Sequence, residues 1–317
     1  MRVILSRVVS TYVKALRASI LAWCIEDQLK IVRELIDIAK YDKESTLIGA
    51  EIIMLRSASE RLAKVLLIIA GSLRCTDIRK QIDDIELMAQ RILRKTVRSL
   101  AKRLRSLDIN SFIQRYNLDS EQRKLVMHII EVSSSRAKAN LQKVLSDIYE
   151  KLEGSITEIR NSIRSLEPHT LVSNLEKISN FLGEIEKISY HGILTQSEVE
   201  MIVMRTINTL MNELNRGMLR ISKELGIQPN KIRESIPRLS EIPKQVRKSM
   251  DMAIRILNLY TATALLHDLL SLIGTTFLDS VSPTHRLTHV YVEPMRYCIA
   301  RVRSMIERYL DEVHRLM

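Results

Sequence analysis

The chain of 317 residues contains 8 glycines and 6 prolines, about 4% against roughly 12% in an average protein, which excludes the many tight turns of a β-sandwich or barrel and equally a collagen-like or Pro/Gly-rich disordered chain. Aromatic residues make up 4% and apolar residues 46%, so the expected fold is all-α: an elongated helical bundle with long antiparallel helix pairs, an aliphatic core and coiled-coil-like seams. Forty-nine Lys and Arg against 37 Asp and Glu give a net charge of +12, which points to anionic partners such as a membrane surface, nucleic acid or an acidic protein.

At the N-terminus, residues 19–25 read SILAWCI behind Arg2, Arg7, Lys14 and Arg17. These bases are spread along residues 2–17 among apolar residues instead of forming a compact basic cluster, so a signal peptide is not expected. The longest largely apolar stretch, residues 65–73, spans nine residues including Gly71 and Ser72 where a membrane-crossing helix needs about 20. A cytoplasmic protein, at most peripheral to a membrane, is the expectation. Helical apolar spacing over residues 8–40 breaks near Tyr41-Asp42-Lys43 and resumes to about residue 72, closed by Gly71, which predicts a helical hairpin. A third helix is expected over roughly residues 76–107, opened by Thr76-Asp77, then a break at 108–119 with one short helical turn.

Residues 120–166 predict a single helix about 70 Å long. Its second half carries a seam at Leu141, Leu145, Ile148, Leu152, Ile156, Ile159, Ile163 and Leu166, a heptad pattern with one four-residue stutter. The seam restarts at Leu171, Leu175, Ile178, Leu182 and Ile185, and another runs through Met295, Ile299, Val302, Ile306, Tyr309, Val313 and Leu316 in a C-terminal helix over residues 295–317. Between them, helices are expected at 196–225 and 244–272, separated by Pro229, Pro237 and Pro243, with residues 274–294 forming a loop or short strand pair. Two regions result: a long-helix part over 1–190 and a more broken part over 191–317. Cys24, Cys75 and Cys298 are odd in number and at least 51 residues apart, which suggests a reducing compartment, with Cys24 and Cys75 as small core residues.

The strongest charge feature is residues 91–107, RILRKTVRSLAKRLRSL, with seven bases and no acid. At 100° per residue, Leu93, Val97, Leu100, Leu104 and Leu107 fall within about 80°, while Arg91, Arg94, Lys95, Arg98, Lys102 and Arg105 gather opposite. Like charges at i,i+4 repel, so six cations without an acid point to an anionic surface, either lipid headgroups or a phosphate backbone. The alternative is a solvated face near carboxylates of other helices. Within residues 219–239, Ser222, Gly226, Asn230, Lys231 and Arg233 have the spacing of a helix-turn-helix, with a plain helical corner as its alternative. His267-Asp268 superficially resembles the His-Asp pair of HD-type phosphohydrolases, and His285, His289 and Glu293 have metal-ligand spacing only if helical. Neither is completed by further ligands. No catalytic residue, metal site or cofactor is expected.

The hairpin at residues 31–73, with Asp42 in its turn and Ala50-Glu51 and Leu55-Arg56 along its second helix, resembles the first helical hairpin of archaeal ESCRT-III proteins of the cell-division B type. The resemblance covers about a quarter of the chain. It implies a non-enzymatic, membrane-remodelling or division component that polymerises and meets an anionic bilayer, with a homo-oligomer or helical protein as partner. Residues 238–243 echo that family's hydrophobic-proline motif, and residues 219–239 its winged helix. The same hairpin is also similar, at Glu60-Arg61-Leu62-Ala63 and Ile69-Ala70, to PhoU-type regulators, whose metal ligands are replaced here by Lys64, Val65 and Ile68.

Overall fold

The computed structural model describes residues 2–41, 48–82, 84–105, 107, 109–166, 174–236, 239–280 and 288–317, and none of these lies in a strand. The helices are α1 (Arg2–Tyr41), α2 (Ile48–Ile69), α3 (Ile85–Arg105), α4 (Ile109–Arg115), α5 (Ser120–Arg164), α6 (Leu175–His191), α7 (Gln196–Leu225), α8 (Pro229–Ser235), α9 (Ile242–Ser280) and α10 (Thr288–Leu316). They gather into two compact units. One comprises Met1–Ile85, Ile156–Tyr190 and Asn258–Met317, the other Glu86–Ser155 and His191–Leu257. A single division near residue 190 is what the proline distribution implies, whereas these units interleave along the chain, and α5 and α9 each contribute residues to both.

In the first unit α1 and α2 pack together. Leu29, Val32 and Ile36 of α1 and Ile52, Leu55, Leu62 and Leu66 of α2 are buried. From Leu62 to Ile68 every residue of α2 is buried, as a helix apolar on nearly all sides requires when neighbours surround it, and the one charged residue among them, Lys64, is paired with Glu60. Gly71 ends that helix in the left-handed region at φ 63°, and the Ser72 amide donates to the Leu67 carbonyl at 2.8 Å, closing the C-terminus as the sequence suggests. In α9, Tyr260, Leu265, Leu266 and Leu269 are likewise buried. By length and composition Leu239–Gly274 suffices to cross a membrane, yet 72% of its most apolar window is buried inside the fold, which is how a core helix meets the same criterion.

Three expectations are corrected in this unit. Thr76 and Asp77 do not open α3: they belong to a 3₁₀ turn, Cys75–Asp77, and α3 begins at Ile85. The turn is held because Cys75 is disulfide-bonded to Cys24 of α1, with Cα atoms 6.4 Å apart, inside the usual disulfide span. Cys24 and Cys75 are therefore a covalent link, and Cys75 is only half-buried. The odd count misleads because the third cysteine, Cys298, is buried and free, its thiol pushed above the ordinary value by burial despite Arg301. Within 274–294 the described residues are helical and not a loop or strand pair, since α9 runs on to Ser280 and α10 starts at Thr288 with Pro294 inside it, and residues 281–287 lie outside the described residues. Gly274, which looks like a breaker, is a packing residue: a Cβ there would lie 3.3 Å from Ile52 Cγ2.

The C-terminal seam is buried as expected, from Met295 through Ile299, Val302, Ile306 and Tyr309 to Val313. Beside it, Ile178, Leu182 and Ile185 of α6 are buried. Glu186 of α6 accepts a hydrogen bond from Arg301 Nη2 at 2.6 Å and another from Arg308 of α10, and the Arg308 guanidinium lies 5.1 Å over the Tyr190 ring. Burial pushes the Glu186 carboxyl up, but the two guanidiniums outweigh it and hold it below its ordinary 4.5. A depressed folded value means stabilisation that is complete above the ordinary value and lost as pH falls through the folded one. Glu186→Gln is accordingly expected to cost about 2 kcal/mol at neutral pH and to narrow its gap from wild type below pH 4.5, read as Tm against pH. A constant gap would remove Glu186 from the acid response.

In the second unit, Leu141, Leu145, Ile148 and Leu152 of α5 are buried. The remainder of that seam belongs to the first unit, where Ile156, Ile163 and Leu166 are buried and Ile159 is half-buried. A compact core joins Ile109, Phe112 and Ile113 of α4 with Val126 and Ile129 of α5, Met218 and Ile221 of α7 and Ile232 of α8. The short turn expected at 108–119 is α4. The opening of α7 is set by a capping box, Thr195 with Glu198, and its end by Gly226 at φ 65°. Near the core, a Cβ on Gly217 would meet Ser133 Oγ at 2.7 Å. Gly217→Leu is expected to cost about 2 kcal/mol by overpacking. Gly154→Ala in α5, where nothing lies within 4 Å, should instead stabilise by up to about 1 kcal/mol. Thermal unfolding of both variants checks the pair, and similar shifts for the two would contradict it.

Candidate functional site

The helix α3 has the two-sided character that its sequence predicts. Leu93, Val97, Leu100 and Leu104 are buried and Leu107 is half-buried, with Met88, Ala89 and Ile92 widening the buried side. Arg91, Arg94, Lys95, Arg98 and Lys102 are exposed, and so is Arg103. The side chain of Arg105 lies outside the described residues. Arg91 Nη1 reaches Met88 Sδ at 3.9 Å.

Among the described residues, no ion pair or hydrogen bond engages the charged groups of Arg94, Lys95, Arg98 or Lys102. Cations elsewhere are treated differently: Arg301 and Arg308 share Glu186, Arg160 meets Asp84 at 2.7 Å, Arg303 meets Glu51 at 3.3 Å and Lys40 meets Glu307 at 2.5 Å. Partial burial holds the Lys95 ammonium below its ordinary value. An open cleft of about 470 Å³ borders the face, with Gln90, Leu93, Arg94 and Val97 on one wall and Ser146, Tyr149, Glu150 and Glu153 of α5 on the other. Carboxylates thus stand near one end of the basic face at Arg94 without closing an ion pair on it.

The helix-turn-helix spacing of residues 219–239 corresponds to α7, a left-handed Gly226 and α8, which starts on Pro229. Ser222 is half-buried, while Asn230, Lys231 and Arg233 are exposed. Only seven residues form α8, and its inner side is tied to α4, where the Tyr116 hydroxyl donates to the Lys231 carbonyl at 3.0 Å and lies 3.0 Å from Ser235 Oγ. No strand that could make a wing occurs among the described residues.

His267 lies in a polar cluster that sequence spacing could not reveal. Arg56 Nε donates to His267 Nε2 at 3.5 Å, and His267 Nδ1 lies 3.7 Å from Asp268 Oδ1. Glu60 Oε2 is 4.0 Å from the same imidazole, while Lys64 Nζ donates to Glu60 Oε1 at 2.5 Å. Burial pushes the Glu60 carboxyl up, but Lys64, His267 and Arg56 outweigh it and hold it below its ordinary value. Arg56 and Arg160 flank the pair, with Arg160 Nε 3.4 Å from Asp268 Oδ2, and no group of three or more potential ligands that could hold a metal occurs among the described residues. The arrangement is an ion network binding α2 to α9. His285 and the side chain of His289 lie outside the described residues. Thr288 begins α10, so His289 and Glu293 share a helix after all.

The geometry therefore defines an all-α protein carrying one exposed, strongly cationic helix face. No family model, curated protein or solved structure matches the chain.

Proposed function

We propose that this chain is a non-enzymatic helical protein that docks on an anionic membrane surface through the outward face of α3 and assembles with like chains by helix-helix contacts in membrane remodelling or division. The observation that carries the reading is the set of exposed cations Arg94, Lys95, Arg98 and Lys102, which have no ion-pair partner among the described residues and are presented by a helix whose other side is buried. A cationic face of this kind gains from each anionic headgroup that it meets, and it needs no deformation of the fold to do so. The resemblance of residues 31–73 to archaeal ESCRT-III hairpins supports the same direction.

Sedimentation with vesicles of phosphatidylserine and phosphatidylcholine, against phosphatidylcholine alone, tests it across a salt series. Binding should require the anionic lipid and weaken as salt rises. Equal binding to both vesicle types would overturn it. Capture of duplex DNA with no vesicle binding would transfer the cationic face to nucleic acid.

A further inference from the structure

The N-terminal half of α1 carries a second surface, separate from α3. Every residue from Ser10 to Trp23 is exposed, although the stretch is rich in large apolar side chains. Trp23 is 71% exposed, Tyr12 69%, Ile20 54%, Leu16 49% and Val13 38%. At 100° per residue these five fall within about 100° of helix circumference, a continuous stripe. Lys14 and Arg17 lie beside and behind it, with Leu21 between them. The first acidic residue of the chain is Glu26, whereas Arg2, Arg7, Lys14 and Arg17 all precede it. Only beyond Trp23 does α1 turn inward, at Cys24 and Ile25.

A surface this apolar must be covered by something, and its charge decides what. A second copy would bring two acid-free cationic arms together with no carboxylate to separate them, which disfavours pairing. An anionic bilayer complements both sides at once: headgroup charge for the bases and the acyl boundary for the stripe. The aromatic residues fit that boundary, since Tyr12 and Trp23 stand at the two ends of the stripe and such rings settle at the level of the headgroups. The stripe from Tyr12 to Trp23 is about 17 Å long, too short to cross a bilayer and suited to lying along it. We infer that residues 10–23 of α1 form an interfacial arm that embeds its Tyr12–Leu16–Ile20–Trp23 stripe in an anionic membrane.

This inference is independent of the α3 reading, and one property of the chain separates the two. Trp23 is the only tryptophan, so indole emission of the full-length protein reports the arm alone. On adding mixed phosphatidylserine-phosphatidylcholine vesicles, its emission should shift to the blue, with quenching by acyl chains brominated near the headgroup exceeding quenching by chains brominated near the bilayer centre. Leu16→Glu with Ile20→Glu, both at exposed positions, should abolish the shift, leave the helical circular dichroism unchanged and lower vesicle partitioning about tenfold or more, because two apolar side chains no longer leave water. If the protein sediments with the vesicles while Trp23 emission stays unshifted, the arm proposal is overturned and the α3 reading stands. If the shift persists in a variant carrying Arg94→Gln, Lys95→Gln, Arg98→Gln and Lys102→Gln that binds as well as wild type, the arm stands and the α3 reading falls. A blue shift that grows with protein concentration in the absence of lipid would assign the stripe to a second copy, and one elicited by polyglutamate but not by vesicles would assign it to an acidic protein. Either overturns the inference.

Discussion

Replacing Arg94, Lys95, Arg98 and Lys102 with Gln is expected to weaken binding to anionic vesicles by about a thousandfold at low salt, since each basic side chain near such a surface is worth about 1 kcal/mol. The loss should shrink as salt rises, because the charges removed are exposed ones. Folding should be unaffected: the four side chains form no ion pair among the described residues, and the buried side of α3 keeps Leu93, Val97, Leu100 and Leu104. The informative control moves the same amount of charge elsewhere. Lys124, Arg205, Lys223 and Arg255 are exposed bases scattered over α5, α7 and α9, and their replacement by Gln should cost far less. Equal losses from the two sets would mean that binding follows the net charge of +12 and not the geometry of one helix.

Loss of the Cys24–Cys75 link is expected to destabilise the first unit by about 4 kcal/mol in the chain-entropy account of a closed loop of about 50 residues. The tie joins α1 to the 3₁₀ turn at Cys75–Asp77, a segment with no buried residue of its own, so little else holds the turn in place. The measurement is thermal unfolding of Cys24→Ser, Cys75→Ser and the double variant beside reduced and oxidised wild type. The double variant should match the reduced protein. Thiol titration of the denatured, unreduced chain should find one free thiol, Cys298, and three would remove the link altogether.

Periodicity made most of the helices legible. The seams of α5, α6 and α10 and the boundaries of α7 are local features, written in spacing of apolar residues, a capping box and a C-terminal glycine, and they need no knowledge of the rest of the chain. What stayed hidden depends on partners distant in sequence. Gly274 reads as a breaker until Ile52 of α2 is seen against it. Cys24 and Cys75 read as unrelated core residues until the turn carries one to the other. His267-Asp268 reads as a superficial likeness to a phosphohydrolase pair, and its ties to Arg56 and Glu60 of α2 appear only in the structure. The cationic side of α3 was legible because charge on one helix face is again a local property. The exposed arm of α1 was not, because an apolar stretch reads as core unless the structure leaves it bare.

The interleaving of the two units constrains how the molecule can be made and taken apart. The first unit needs both the first 85 residues and the last 60, so during synthesis α1 and α2 wait for α9 and α10 while the second unit is already complete by Leu257. Contacts of such long sequence separation slow folding and leave the apolar side of α2 without its full cover in the interval. No single cut in the chain can release the first unit as an autonomous fragment. A truncation ahead of Asn258 would leave the α3 face in an intact unit and the α1 arm on an unfinished one.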